Sequence, residues 1–166
     1  MANIPMVSIV GKSDAGKTTF MEKLIKELKA RNIKVCTIKH DVHGFDIDQP
    51  GKDTWRHSQA GADTVVISSP QKMAMITKVR EELSLDQIAE IVSDDTDIII
   101  TEGYKRANKP KIEISRSERG TELLCTPDEL IGLVSDIPWS IGVPVFQLDD
   151  APGVADLLQD KFKLRS

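Results

Sequence analysis

Apolar and polar positions alternate along the chain in two different periods. Met6–Val10 is short, apolar and rich in β-branched residues, and it stops at Gly11. From Lys17 to about Ala30 the period lengthens. Phe20, Leu24 and Leu28 fall four apart with Met21 and Ile25 beside them, which predicts a helix with one buried stripe. Glu22 and Lys26 form an outward i,i+4 pair on it. Lys34–Ile38 predicts a second strand, and the polar stretch from His40 to Asp53 has no period. Asp53 reads as the cap of a short helix, Thr54–Ala60, ended by Gly61. Thr64–Ser68 and Met73–Val79 read as two strands joined by the turn around Pro70. Ser84 and Gln87 make a capping-box pattern for a helix to about Val92. Asp97–Thr101 is continuously apolar after its aspartate, as a strand buried on both faces of a parallel sheet would be. Lys111–Ser115 alternates and reads as another strand; Ile131–Ser135 and Val143–Leu148 follow, and Val154–Phe162 is a closing helix.

This order predicts a three-layer α/β domain with a mainly parallel sheet, on which the pair from Thr64 to Val79 is an antiparallel edge. A length of 166 residues fits a single domain spanning 1–166 with a substantial core. A hydrophobic share of 40% excludes a disordered chain. The formal charge of -4 argues against nucleic acid or an acidic membrane as the main partner. No apolar run approaches the roughly 20 residues of a membrane span. The N-terminus lacks the charged, apolar and small-residue order of a signal peptide. Cys36 and Cys125 sit far apart in apolar runs and read as reduced core residues, which points to the cytoplasm.

The chemistry starts at Gly11–Thr18, GKSDAGKT, of the form G-x-x-x-x-G-K-[ST]. It follows a predicted strand and opens a predicted helix, the context a phosphate-binding loop requires. Gly11 and Gly16 let the backbone turn and approach oxygen atoms closely. The N–H groups through Lys12, Ser13, Asp14, Ala15 and on to Thr19 then face an anion at the helix N-terminus. Lys17 supplies a point charge to the β- and γ-phosphates, and the Thr18 hydroxyl reaches Mg²⁺. Lys12 stands where the deviant loops of partitioning-type ATPases carry a lysine that reaches across a dimer. Ser13 and Asp14 replace the glycines of those loops, so a solvated lysine is the simpler reading.

A P-loop protein also needs an acid at the end of a neighbouring strand. Asp97 begins the strand and Glu102 ends it, and ligands bind at the C-terminal ends of such strands, which favours Glu102 with Gly103 beside the γ-phosphate. Glutamate stands where aspartate is usual, and its longer arm leaves direct or water-mediated metal ligation open. The second strand runs into Lys39, His40, Asp41, His43, Asp46 and Asp48, placed here next to the phosphate loop. Three readings fit this cluster: a solvated loop, a metal site, or a switch-like segment. In the last, Asp41 sits near Mg²⁺ or the attacking water and the charges recognise a second, anionic substrate. His40-x-x-His43 without a nearby cysteine is a weak metal signal.

Together, the loop, IKHDVHGFDIDQPGKDTWRHSQAGAD, TEGYK and LVSDIP resemble the molybdopterin-guanine dinucleotide biosynthesis protein B (MobB) family over nearly the whole chain. That resemblance implies a P-loop GTP-binding protein that hydrolyses GTP slowly at best. It also implies a homodimer that helps a partner guanylyltransferase (MobA) attach GMP to molybdopterin. Carried over by position, Gly11, Gly16, Lys17 and Thr18 hold the GTP phosphates, and Glu102 and Gly103 match the family's acidic strand end. Lys39, His40, Gly51, Lys52 and Asp53 match its characteristic segment, where Lys39 and Lys52 are candidates for phosphates of pterin or nucleotide.

The N-K-x-D base-reading motif is absent, since Asn108-Lys109 is followed by Pro110-Lys111. Asp136, ending LVSD, is the candidate to accept guanine N1–H and N2–H₂; the structural alternative is a turn cap before Pro138. Two other functions remain open: a GTP-dependent metallochaperone using His40 and His43, and a small-molecule kinase with Arg106, Arg116 and Arg119 as a lid. No glutamine or arginine is placed by the sequence to orient water or neutralise charge, so slow hydrolysis is expected.

Overall fold

The computed structural model describes residues 4–165. They form two compact units, one running through His40 and resuming at Ala89, the other comprising Asp41–Ile88.

The first unit is built on strands β1 (Met6–Val10), β2 (Val35–Lys39), β5 (Ile98–Glu102), β6 (Lys111–Ser115), β7 (Leu130–Ser135) and β8 (Val145–Phe146). They make one sheet in the order β2-β5-β1-β6-β7-β8, with every neighbouring pair parallel. All five residues of β1 are buried, as are those of β6, including Lys111 and Glu113. The alternating look of Lys111–Ser115 therefore marks a central strand with buried polar groups. Lys111 Nζ donates to the Ala107 carbonyl at 2.8 Å and meets Glu129 at 3.3 Å.

Helix α1 (Lys17–Ala30) buries the predicted stripe Phe20, Met21, Leu24 and Leu28. It packs with α4 (Ala151–Phe162) against β1, β5 and β6 in one core that includes Val7, Ile9, Ile98, Ile100, Ile112, Ile114, Val154 and Leu158. Helix α4 starts three residues before the predicted Val154. Proline is tolerated in a first helical turn, and Asp150 Oδ1 accepts the Gly153 N–H at 2.9 Å, capping a turn that Pro152-Gly153 conceals in the sequence.

Other boundaries move by a residue or more. Strand β2 begins at Val35 rather than Lys34, because Lys34 N–H is taken by Asp97 Oδ2 at 2.7 Å. Asp97 is thus a strand-entry residue, as expected. Strand β8 pairs over only two residues of Val143–Leu148. Both cysteines are free; Cys125 is buried, but Cys36 is only half-buried, since β2 is an edge strand and not core.

In the second unit, α2 (Asp53–Gln59) begins one residue earlier than predicted. Lys52, extended at φ -76° and ψ 162°, is its N-cap, so Asp53 lies in the first turn. Strands β3 (Thr64–Ser68) and β4 (Met73–Thr77) pair antiparallel as expected. They form a two-stranded sheet of their own and are no edge of the six-stranded one. Helix α3 (Leu85–Ile91) has the predicted capping box, with Ser84 N–H on Gln87 Oε1 at 2.9 Å and Gln87 N–H on Ser84 Oγ at 3.2 Å.

Candidate functional site: a loop flanked by two strand ends

Between β1 and α1, residues 11–16 form a tight loop. Gly11 passes so close to β6 that a Cβ there would meet the Ile114 carbonyl oxygen at 2.6 Å, which no side chain tolerates. Gly16 caps α1 at φ 91°, in the left-handed region that favours glycine. Asp14 also lies there at φ 58°, a conformation aspartate accepts more readily than most residues. The Ala15 N–H donates to the Lys12 carbonyl at 3.2 Å, and Ala15 itself is buried. Lys17 Nζ donates to the carbonyls of Gly11 and Lys12, both at 2.9 Å, which places its charge at the mouth of the loop.

Strand β5 lies beside β1 and delivers Glu102. Thr18 Oγ1 donates to Glu102 Oε1 at 3.2 Å, so loop hydroxyl and strand-end carboxylate converge. Both are hard oxygen donors, the kind a small divalent cation takes. Ser13, Asp14, Gly16, Lys17, Thr18, Thr19 and Glu102 line one cleft of about 510 Å³. Gly103 follows, its N–H donating to the Ile9 carbonyl at 3.4 Å.

The matches with known proteins decide the family. Residues 6–136 match the model of the molybdopterin guanine dinucleotide synthesis protein B family. The chain is 34% identical over 158 residues to the molybdopterin-guanine dinucleotide biosynthesis adapter protein of Haemophilus influenzae, covering 95% of this chain and 89% of that one. It is 35% identical over 160 residues to the adapter protein of the same name from Escherichia coli, covering 93% and 91%. The chain belongs to the MobB family. A crystal structure of molybdopterin-guanine biosynthesis protein B superposes with a TM-score of 0.75 at 30% identity, covering 95% of this chain and 99% of that one. The crystal structure of Bacillus subtilis MobB gives 0.75 at 26%, covering 98% and 99%. The α/β fold with a mainly parallel sheet expected from the alternating pattern, with the phosphate loop after β1, is the P-loop NTPase fold of this MobB-family chain.

Elsewhere the chain differs from the sequence expectations. Strand β2 does not adjoin the phosphate loop, because β5 lies between it and β1. Lys39 at its end is paired in register with Glu102, and the His40 N–H donates to the Glu102 carbonyl at 3.0 Å. The His40 ring lies 4.8 Å from that of Tyr104, their planes inclined by 31°. Asp41 and Lys52 lie in the second unit. Asp41 accepts the His43 N–H at 2.9 Å, a local Asx turn, and Lys52 lines a cavity of about 650 Å³ within that unit. Among the described residues, no group of three or more His, Cys, Asp or Glu side chains is gathered in a way that would hold a metal.

Lys12 is half-buried, and its Nζ donates to the Arg119 carbonyl at 3.0 Å within the same chain, an exposed hydrogen bond. Asp136, directly after β7, spends both oxygens on Ser117, accepting its N–H and its hydroxyl at 2.9 Å each. The Ser117 N–H holds the Asp136 carboxyl below its usual range. Asp136 is thus tied to the turn after β6 rather than to the turn before Pro138, and reading a base would compete with that contact. Of the three arginines named above as a lid, the structure brings one to the loop. Arg116, directly after β6, lays its guanidinium against Gly16: a Cβ on that glycine would be 3.3 Å from Nη2. No motif announces this, since it depends on β6 being the strand beside β1.

Proposed function

We propose that this chain is a GTP-binding accessory protein of molybdenum-cofactor maturation, assisting a MobA-type guanylyltransferase that attaches GMP to molybdopterin. The observation that carries it is the meeting of Thr18 and Glu102 beside Lys17 at a phosphate loop, in a chain of the MobB family. In this reading Gly11–Thr19 hold the phosphates, Lys17 supplies charge, and Thr18 and Glu102 hold Mg²⁺. The metal would tie down the outer phosphates and neutralise them. Lys39 lies next to Glu102 in register and adds positive charge at the same edge. Asp136 contributes guanine preference by sharing the carboxylate that now caps Ser117. Within the second unit, Lys52 is the candidate for phosphates of pterin or nucleotide. Among the described residues lining the cleft there is no glutamine to orient water, which fits slow hydrolysis. The protein works as a cytoplasmic homodimer, without nucleic acid or membrane; among the described residues no helix is long and apolar enough to cross one.

Equilibrium binding of fluorescent GTP with Mg²⁺ tests the reading. Micromolar affinity is expected, at least tenfold weaker for ATP and nearly abolished by Lys17→Ala. Co-purification with the guanylyltransferase, strengthened by GTP, is the matching partner test. A wild-type protein that binds no nucleotide, or that turns over GTP several times per second unaided, overturns it.

A further inference from the structure

Near the loop, Arg116 stands apart from the other polar groups. Its Nη2, Nε and Cζ lie 3.3, 3.4 and 3.6 Å from the position a Cβ on Gly16 would take. The guanidinium thus lies beside Gly16, where α1 opens, on the β6 side of the loop with Lys12, Ala15 and Arg119. Its Nε is buried and, among the described residues, has no hydrogen-bond partner. Nη1 approaches Glu118 Oε1 only to 3.7 Å, too far for a hydrogen bond. A buried donor left unmade is costly, and an arginine kept for packing normally spends its fork on carbonyls or carboxylates.

The surrounding segment is tied down on three sides. Asp136 holds Ser117 by two hydrogen bonds, Lys12 of the loop holds the Arg119 carbonyl, and Glu113 accepts the N–H groups of Leu124 and Cys125 at 2.7 and 3.1 Å. Asp14 and Arg119 face each other at 3.9 Å. Such anchoring removes most of the entropy cost of presenting a long side chain.

We propose that Arg116 is a phosphate-binding residue supplied in cis: its fork takes oxygens of the inner phosphates of the nucleotide at Gly16. The 117–120 turn, anchored by Lys12 and Asp136, positions it. This rests on the reading of Gly11–Thr18 as a nucleotide phosphate loop. A planar guanidinium matches two phosphate oxygens in a way an ammonium does not. GDP and GTP share the inner phosphates, so both should depend on it.

The test is equilibrium binding of fluorescent GTP and GDP, with Mg²⁺, across a salt series. Arg116→Ala is expected to weaken both nucleotides about ten- to a hundredfold and to flatten the salt dependence. Arg116→Lys, which keeps charge without the fork, should fall between. Arg116→Met keeps the packing stem and should behave as Arg116→Ala, separating phosphate contact from support of the turn. Arg106→Ala removes the same charge from an exposed position and should bind as wild type. Wild-type affinity in Arg116→Met, while Lys17→Ala abolishes binding, overturns the proposal and leaves the function standing. A wild-type protein binding neither nucleotide removes the reading beneath it.

Discussion

Glu113 is enclosed on β6, and burial pushes its carboxyl above the usual range despite the two N–H groups it accepts. One of those donors belongs to Cys125, whose own thiol is pushed up to about 11 by burial first and then by the charges of Glu113 and Glu129. The unfolded thiol ionises near 9.0, so the native state favours the protonated form. This contribution to stability is complete below that value and is lost as pH rises through it toward about 11. Urea melts at stepped pH should show stability falling over this window, and Cys125→Ala should remove that part of the slope. A neutral thiol is also a poor nucleophile. Half-buried Cys36 should therefore react with a thiol reagent ahead of Cys125 at pH 8; equal rates in the native protein would contradict this burial. The residues of the site divide in the same way between local and distant causes. GKSDAGKT and Glu102 are legible because each is fixed by its own strand end. Lys12, Arg116 and Asp136 are not, because their partners lie one strand away across the sheet or in a turn without a periodic signal.

Elements were easier to read than their ends. The period change at Lys17 and the unbroken DIIIT follow directly from burial on one stripe or on two faces. Strand order does not. A connection from β1 through α1 to β2 is equally legible whether β2 lands beside β1 or one place further out, and β5 fills the gap here. The start of α4 was hidden for another reason, since Pro152-Gly153 looks like a break yet fits a capped first turn. Asp150→Ala should then cost about 1 kcal/mol of stability, read as a lower urea midpoint with an unchanged slope. No shift would mean the cap contributes nothing.

For the molecule as a whole, the β3–β4 hairpin carries the clearest unmet surface. Val66 opposes Met75 and Ser68 opposes Met73 on one face. Val66, Met73 and Met75 are 51%, 67% and 46% exposed, in a pair too small to be stable alone. This face is the predicted contact of the proposed homodimer. Val66→Lys with Met75→Lys should convert a dimer into a folded monomer by light scattering, and an unchanged dimer would locate the contact elsewhere.

The adjacency of β5, β1 and β6 has one more consequence. Glu102 at the end of β5 and Arg116 just after β6 lie on opposite sides of the loop. In the proposed reading the cation sits on the Glu102 side and the inner phosphates on the Arg116 side. Strand order would then set the direction in which the phosphate chain lies, before any atom of the base is touched.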